Sequence, residues 1–364
     1  MVMKISKRFI ICILVFLIAI SIYVLQNACI DATLKKHQYL QSTQLPNHHY
    51  EGLEQFLYQN ICGMSLASGL TNFAFITKDR TVCQVDFSGS FQIIPEMNNV
   101  TAICHGEDST ICAITEDGSF VPYPCRDETQ EKKLLLQSVN VGIGPWSTID
   151  NIEKYKTITN ATFFRSNYPG EGFFVHKDNS VTLVGYGWSE DKRITIENSW
   201  NDVIQLAESS GDLIGLTKDG TIRCLRSSPY YDEYKTWTDI IAVYTGGSHI
   251  FGLKKDGTIK STGMDMWGEC ATDSWQNIIS ISPARTYTVG LKVDGTVVAT
   301  GENSHGQCDV ETWKNIIAIS AFETYTLGID SKGKVWIAGE TEDPVDLKRC
   351  SDIVAEHYIL LNFK

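Results

Sequence analysis

The sequence predicts an all-β fold, a seven-bladed β-propeller of four-stranded blades of about 38 residues, preceded by one N-terminal transmembrane helix. Two repeated features predict the propeller: a β-hairpin signal that returns about every 38 residues, and a short apolar run that begins at a tryptophan ahead of the later hairpins. An uninterrupted apolar run near the N-terminus predicts the helix. Propellers of six or eight blades are the alternatives.

The hairpin signal is a pair of β-rich runs joined by Asp-Gly or a related pair of residues. Such a pair supplies the positive φ angles that a tight two-residue turn requires. Arg80 follows the aspartate in the first copy, and because a non-glycine residue adopts positive φ at a cost, we expect another turn type there. The seven turn positions are Asp79, Asp117, Asp178, Asp219, Asp256, Asp294 and Lys332.

The later hairpins each follow a second repeated element, an apolar run rich in Ile and Val that is typical of a strand buried on both faces. A Gly-rich turn and a last short segment come after the hairpin, so each repeat predicts four strands. The chain ends in a partial copy, residues 351–364, which matches the buried strand and its neighbour. A strand there would close the ring by pairing with the first blade. The tryptophans that begin the apolar runs are Trp200, Trp237, Trp275 and Trp313.

The repeats resemble the regulator of chromosome condensation repeat. The resemblance is carried by GLKKDGTI from Gly252, GLKVDGTV from Gly290, ATG from Ala299 and GQCDV from Gly306. It is strong over residues 201–339, weaker over residues 70–118 and poor over residues 121–155. The family's known members include a nucleotide exchange factor for a small nuclear GTPase and a secreted bacterial inhibitor of β-lactamases. The resemblance therefore implies a propeller that binds a protein partner, and its structural motifs carry over no partner-contacting residue.

Four segments follow from these patterns: a cytoplasmic N-terminus (1–8), a transmembrane signal anchor (9–25), a polar stalk (26–60) and the propeller (61–364), which has an insertion at about 121–155. Lys4, Lys7 and Arg8 precede the apolar run and should stay in the cytoplasm, which places the propeller outside it. Cleavage of the run as a signal peptide, followed by secretion, is the alternative.

The formal net charge of −12 argues against a nucleic-acid partner and against binding to an anionic lipid surface. We predict no cofactor and no metal site, since His48 and His49 lack further ligands at suitable spacing. No catalytic motif is present, so we predict a protein that is not an enzyme.

The chain has eleven cysteines. Cys270 and Cys308 occupy equivalent repeat positions, where the family resemblance implies a cysteine that serves as small buried packing. Neighbouring blades should hold such positions too far apart for a disulfide. A disulfide among Cys104, Cys112 and Cys125 stays open.

Residues that recur in the later copies are interpreted as structural. The tryptophans should be wedges between blades, and Gly215, Gly252, Gly290 and Gly328 should mark close approach of backbone between sheets. His249 aligns with Tyr287 and Tyr325, which predicts a half-exposed structural ring.

Function is expected where the copies differ, on the rim that carries the loop after the buried strand and the loop after the hairpin. Aromatic and Met side chains there, interleaved with carboxylates, predict a surface for an unidentified protein partner. The alternative is a glycan-binding or glycan-processing module of the cell envelope. The insertion should either reach a partner or cover the ring. The candidate binding residues are Tyr168, Tyr186, Trp188, Tyr230, Tyr231, Met266, Trp267, His305 and Phe322.

Overall fold

A computed structural model describes residues 66–68, 72–105, 111–123, 161–165, 172–179, 181–184, 194–195, 200, 202–209, 212–224 and 232–358. All of them belong to one compact unit, Tyr50–Lys364. The predicted N-terminus, membrane span and stalk lie outside these residues, as does most of the insertion. Within the described residues, no helix is both long enough and apolar enough to cross a membrane.

The described strands form seven antiparallel sheets, numbered here in chain order. Sheet 1 contains β1 (Leu66–Ser68), β2 (Asn72–Ile76), β3 (Val82–Asp86) and β4 (Phe91–Ile94). Sheet 2 contains β5 (Val100–His105), β6 (Ile111–Thr115) and β7 (Phe120–Tyr123). Sheet 3 contains β8 (Ala161–Arg165), β9 (Gly172–His176), β10 (Val181–Val184) and β11 (Ile194–Thr195). Strands adjacent in sequence are adjacent in each sheet, as the hairpin pattern predicts.

Sheets 4 to 7 come from the most regular repeats. Sheet 4 contains β12 (Val203–Ser209), β13 (Asp212–Thr217) and β14 (Ile222–Cys224). Sheet 5 contains β15 (Ile240–Gly246), β16 (His249–Lys254) and β17 (Ile259–Gly263). Sheet 6 contains β18 (Ile278–Pro283), β19 (Tyr287–Lys292) and β20 (Val297–Gly301). Sheet 7 contains β21 (Ile316–Phe322), β22 (Tyr325–Asp330) and β23 (Val335–Gly339).

Each sheet contacts the next one in chain order, and β21 of the last sheet contacts β1 of the first. Side chains link the first strands of neighbouring sheets. The Gln205 amide donates to the Val243 carbonyl (2.7 Å) and accepts from the Val243 N–H (2.9 Å). The hydroxyls of Ser68 and Ser320 lie 2.7 Å apart, which joins sheet 1 to sheet 7. The described sheets therefore follow one another without an open end between the last and the first.

The hairpin turns differ from the predicted two-residue type. In the turn at Asp219, Gly220 has a φ of +81° and the aspartate does not share this conformation. The N–H of Gly220 donates to the Thr217 carbonyl (3.0 Å), and the Thr217 N–H donates to the Thr221 carbonyl (3.0 Å). This is a type I turn followed by a glycine bulge, so only the glycine needs positive φ. The turns at Asp256 and Asp294 are built in the same way.

The expectation for the first turn is wrong. Arg80 takes the place of the glycine and adopts a φ of +57°. Its N–H donates to the Thr77 carbonyl (2.9 Å), and its carbonyl accepts from the Val100 N–H (2.8 Å). The guanidinium also forms an ion pair with Glu116. These contacts to sheet 2 offset the cost of the left-handed conformation.

The fourth strand predicted for every repeat is present only in sheets 1 and 3 of the described structure. In sheet 4, a 3₁₀ helix, Asp232–Thr236, comes before Trp237. After β17 and β20, the chain runs through consecutive turns closed by bonds such as Trp275 N–H to the Thr272 carbonyl (2.9 Å). Short turn segments with Gly and Asp have weak strand propensity, which accounts for the difference.

The partial copy at the C-terminus begins as a helix, which corrects the predicted strand. Helix α1 (Leu347–His357) starts at Asp346, whose side chain accepts from the Arg349 N–H (3.0 Å). Cys350, Ile353 and Val354 are its buried residues, at the spacing of one helix face. The prediction of pairing with the first sheet is nevertheless met at one residue, because Tyr358 forms an antiparallel bridge with Thr77.

The repeated tryptophans and glycines form one packing unit. Trp237 is buried, and its ring covers Gly252 on the second strand of sheet 5. A Cβ at residue 252 would lie 2.7 Å from the ring. Trp200, Trp275 and Trp313 cover Gly215, Gly290 and Gly328 in the same way. The glycines thus make room for a ring of their own sheet, which corrects the expected close approach of backbone between sheets.

Candidate functional site

In each of sheets 5 to 7, the loop after the first strand and the loop after the third strand meet on the same rim, which we call the loop rim. In sheet 5 the loop after β15 and the loop after β17 are joined by a bond from the Met264 N–H to the Ser248 carbonyl (3.0 Å). Glu302 N–H to Thr286 (3.0 Å) and Glu340 N–H to Thr324 (3.1 Å) repeat this bond in sheets 6 and 7. The hairpin turns lie at the opposite ends of the same strands, on the hairpin rim.

The structure describes four of the nine candidate residues. Met266, Trp267 and His305 lie in loops of the loop rim, and Phe322 is the last residue of β21 at the same rim. Met266 and Trp267 are 75% and 57% exposed, among the largest exposures of apolar side chains in the described residues. Met264, which the sequence reasoning did not select, is 45% exposed in the same loop. The candidates outside the described residues are Tyr168, Tyr186, Trp188, Tyr230 and Tyr231.

The loop that carries these residues, 263–270, is fixed by its own polar groups. The Trp267 N–H donates to Glu269 Oε2 (2.7 Å), and the Cys270 N–H donates to Asp265 Oδ1 (2.9 Å). Thr300 of sheet 6 donates to the Gly268 carbonyl (2.9 Å). The backbone is therefore held in one shape while its apolar side chains stay in solvent, an arrangement that lowers the entropy cost of binding.

The next sheet repeats this frame with other side chains. In the loop 301–308 the Cys308 N–H donates to Asn303 Oδ1 (2.8 Å), and the His305 N–H donates to Gln307 Oε1 (3.1 Å). Glu302, Ser304 and His305 stand where the first loop has Met264, Met266 and Trp267. His305 is exposed, and its Nδ1 lies 3.1 Å from the Ser304 hydroxyl. The frame belongs to the fold, and the side chains are what differs.

Phe322 is integrated into the fold more closely than the other candidates. Its ring centroid lies 5.8 Å from that of Tyr325, and it packs against the core cluster that sheets 1 and 7 share. Its N–H donates to the Tyr287 hydroxyl (3.1 Å). A partner could reach only part of this ring.

Carboxylates dominate the loop rim of sheets 5 to 7. In the described loops 246–249, 263–270, 283–287, 301–308, 322–325 and 339–343, Arg285 is the only Lys or Arg side chain. The same loops carry six carboxylates that are exposed or partly exposed: Asp265, Glu302, Glu323, Glu340, Glu342 and Asp343. Hydrogen bonds from Ser304 hold the pKa of Glu302 below its usual value. This sector presents a negative field on the rim whose sheet 5 loop carries the exposed apolar residues.

A buried polar pair lies beneath the exposed loop. His249 is 1% exposed, so the expected half-exposed ring is wrong. Its Nε2 lies 3.0 Å from the Ala284 carbonyl, and its Nδ1 lies 3.9 Å from the Glu269 carboxylate, which is also buried. Burial lowers the pKa of His249, against the opposing effects of the Ala284 carbonyl, Glu269 and Asp265. Tyr287 occupies the position of His249 in sheet 6, and its hydroxyl donates to the Tyr325 carbonyl of the next sheet (2.5 Å).

The described thiols of this rim are poorly suited to act as nucleophiles. Burial raises the pKa of Cys270 and Cys308 to about 12, so both thiols stay protonated and are poor nucleophiles at neutral pH. Among the described residues, no group of three or more His, Cys, Asp or Glu side chains is arranged to hold a metal ion. Cys104 and Cys112 are register partners in sheet 2, whereas Cys125 lies outside the described residues.

No protein-family model matches the chain, and no curated protein matches it in sequence. Solved structures do match. Yeast RCC1 (Prp20), crystallised with Kap60, is 12% identical, with a TM-score of 0.51 over 82% of this chain and 85% of that chain. A structure of Prp20p from Saccharomyces cerevisiae, described with its binding to Gsp1p and histones, is 11% identical, with a TM-score of 0.52 over the same shares. The fold is therefore similar to the RCC1 β-propeller; at this identity the likeness concerns the fold alone.

Proposed function

We propose that this protein is a membrane-anchored, non-catalytic β-propeller that binds a protein partner outside the cytoplasm through its loop rim, as a scaffold or an inhibitor. The partner's identity is open. The proposal includes seven blades, one for each described sheet, and ring closure by the contact of β21 with β1. The anchor is the apolar run of residues 9–25. RCC1-like neighbours that were studied as protein binders are in keeping with this role.

One observation carries the binding surface: the exposure of Met266 and Trp267 on a loop whose backbone is fixed. A soluble domain gains no stability from an exposed Trp, and a rigid loop does not let the ring fold away into the core. Trp is the residue most enriched among energetic anchors of protein interfaces, and Met adapts its shape to a partner. The two side chains are therefore suited to enter a partner's pocket.

A photocrosslinking experiment tests the surface. A benzoylphenylalanine at position 266 of the full-length protein, expressed in its own cells, should crosslink to a defined protein. The matched control is the same residue at position 293, because Val293 is 36% exposed in a hairpin turn on the opposite rim. Addition of Trp267→Ala should remove the product at position 266. Equal products at the two positions, or a product that survives Trp267→Ala, would contradict the proposal.

The anchor is tested separately. The full-length protein should sediment with membranes and resist extraction by alkaline carbonate, and protease added to intact cells should digest the propeller. Release into the medium as a shortened soluble protein would instead support signal cleavage and secretion.

The second candidate is recognition or processing of an envelope glycan, and the exposed Trp267 ring next to Asp265 favours it. Aromatic faces stack on sugar rings, and carboxylates accept from their hydroxyl groups. A glycan array and a panel of glycoside substrates test this function. Specific retention of one glycan that Trp267→Ala abolishes would favour it over a protein partner.

A further inference from the structure

We infer that the partner segment bound by the loop rim of sheets 5 to 7 is rich in Lys and Arg and carries an apolar anchor, as an amphipathic cationic helix does. This inference rests on the proposed function, since it names the chemistry of the partner at the same surface. It depends on two observations: the two rims differ in charge, and the exposed apolar residues lie on the acidic rim.

The two rims of these sheets carry different charges. Arg285 stands alone against six carboxylates on the described loop rim, as given above. The hairpin rim of sheets 5 to 7 carries five lysines, Lys254, Lys255, Lys292, Lys332 and Lys334, together with four aspartates, Asp239, Asp256, Asp294 and Asp330. Two of its lysines are close to other groups: Lys254 Nζ lies 3.5 Å from Asp256, and Lys334 Nζ lies 3.4 Å from the centre of the Trp336 ring. Among the described loops of the loop rim in sheets 5 to 7, Arg285 is the only Lys or Arg side chain that could compensate the carboxylates.

The exposed carboxylates of the loop rim can act on a partner. Glu323, Glu340, Glu342 and Asp343 are exposed. They lie on sheet 7 and the chain after it, and with Asp265 and Glu302 they extend over three consecutive sheets. Like charges at this density repel one another, and a cationic segment that neutralises them relieves this repulsion. A neutral or acidic segment would gain nothing from the same field.

The apolar residues define the second requirement. Met264, Met266 and Trp267 project from one loop at the edge of the acidic sector. A purely ionic ligand would leave them in water, and a purely apolar ligand would leave the carboxylates without counter-charges. A segment with cations on one side and apolar side chains on the other satisfies both, as in the recognition of an amphipathic helix by a groove.

Peptide binding to the full-length protein in a nonionic detergent tests the inference. The probe is a short amphipathic helical peptide of Lys and Leu, and its matched control has Glu in place of every Lys. The Lys peptide should bind at least about tenfold more tightly than the Glu peptide. Its affinity should fall steeply as salt rises from about 0.05 M to about 0.5 M, because the charges involved are exposed.

Two matched triple variants locate the site. Glu323→Gln, Glu340→Gln and Glu342→Gln together should weaken the Lys peptide by about tenfold and flatten its salt dependence. Asp239→Asn, Asp256→Asn and Asp294→Asn remove the same charge from the hairpin rim and should have little effect. Equal weakening by both triples would show attraction to net charge alone and would overturn the inference. Equal binding of the two peptides, or no binding of the Lys peptide, would overturn it too.

The two proposals fail in different ways. Suppose that crosslinking at position 266 depends on Trp267, yet the crosslinked protein binds independently of salt and of the three glutamates. The loop rim would then be a binding surface, and the cationic partner would be wrong. Loss of the Trp267 dependence in the cell would remove the proposed function itself, whatever the peptides do.

Discussion

The hairpin rim and the loop rim lie at opposite ends of the same strands. The hydrogen-bonding side chains of the Asp256 and Asp294 turns repeat on the hairpin rim, whereas the exposed side chains of the loop rim differ from sheet to sheet. At the hairpin rim, Asp256 and Asp294 accept from the N–H and hydroxyl of the threonine two residues on, with N–H distances of 2.9 Å. At the loop rim the backbone frame repeats, whereas Met264, Met266 and Trp267 are replaced by Glu302, Ser304 and His305. Repeated hydrogen bonds therefore mark what the fold needs, and divergent exposed side chains on an unchanged frame mark where function can reside.

The largest expected effect lies between the rims, in the repeated packing of tryptophan on glycine. Gly290→Ala places a Cβ 2.6 Å from the Trp275 ring. Because the ring is buried and rigid, we expect destabilisation of about 2 to 3 kcal/mol, measured as the free energy of unfolding in urea.

A double variant checks the cause of that loss. Trp275→Leu removes the ring that the new methyl group meets, so Gly290→Ala should cost clearly less in its presence than in the wild type. Additive losses from the two changes would mean that the ring and the glycine do not act as one unit.

The second effect concerns His249, where sheet 5 departs from the tyrosines of sheets 6 and 7. Burial lowers the pKa of His249 in the folded state below the unfolded value of about 6.5. As the pH falls, the unfolded chain therefore binds a proton at this histidine before the folded protein does. The contribution of neutral His249 to stability is full above about pH 6.5 and is lost as the pH falls towards the folded pKa. The loss is at most about 1.4 kcal/mol per pH unit.

The measurement is the melting temperature at a series of pH values from neutral to mildly acidic. His249→Gln and His249→Tyr should both reduce its fall on acidification, since neither residue takes up a proton there. The exposed His305 supplies the control, and His305→Gln should leave the profile of the wild type in place. A profile that His249 variants do not change would assign the acid sensitivity to other groups.

The two strands of each hairpin and the turn positions could be predicted from the sequence because their residues repeat. The turn type could not, since Asp-Gly suits both a two-residue turn and the glycine bulge that the structure has. The run SDIVAEHY has the Ile and Val of a strand, and Asp346 with Cys350, Ile353 and Val354 at helical spacing was the overlooked signal of a helix. Alignment with Tyr287 and Tyr325 predicted a half-exposed ring at His249. The burial of the ring beside Glu269 depends on a contact between residues distant in sequence, which the repeat pattern does not show. The exposure of Met264 was equally hidden, because its counterpart is Glu302.

A smaller loss is expected at the hairpin rim. Asp294→Ala removes the acceptor of the Thr296 N–H (2.9 Å) and hydroxyl (2.6 Å), which should cost about 1 kcal/mol of unfolding free energy in urea. These bonds also hold the pKa of Asp294 below its usual value, so their contribution is present at neutral pH and is lost as the pH falls through that pKa. Asp294→Asn keeps an acceptor oxygen and should recover part of the loss at neutral pH. An equal loss in the two variants would show that the negative charge is essential.

The smallest effect on stability is expected at the most exposed ring. Trp267→Ala leaves the frame of the loop intact, because Glu269 accepts from the backbone N–H of residue 267 and not from its side chain. Unfolding free energy in urea should change by no more than about 0.5 kcal/mol. Trp275, which precedes β18, is buried, and Trp275→Ala should lower the unfolding free energy by at least about 3 kcal/mol. This contrast separates the tryptophans of the fold from the one available to a partner. If Trp267→Ala destabilised the protein as much as Trp275→Ala does, Trp267 would belong to the core, and the loop rim would lose its main anchor.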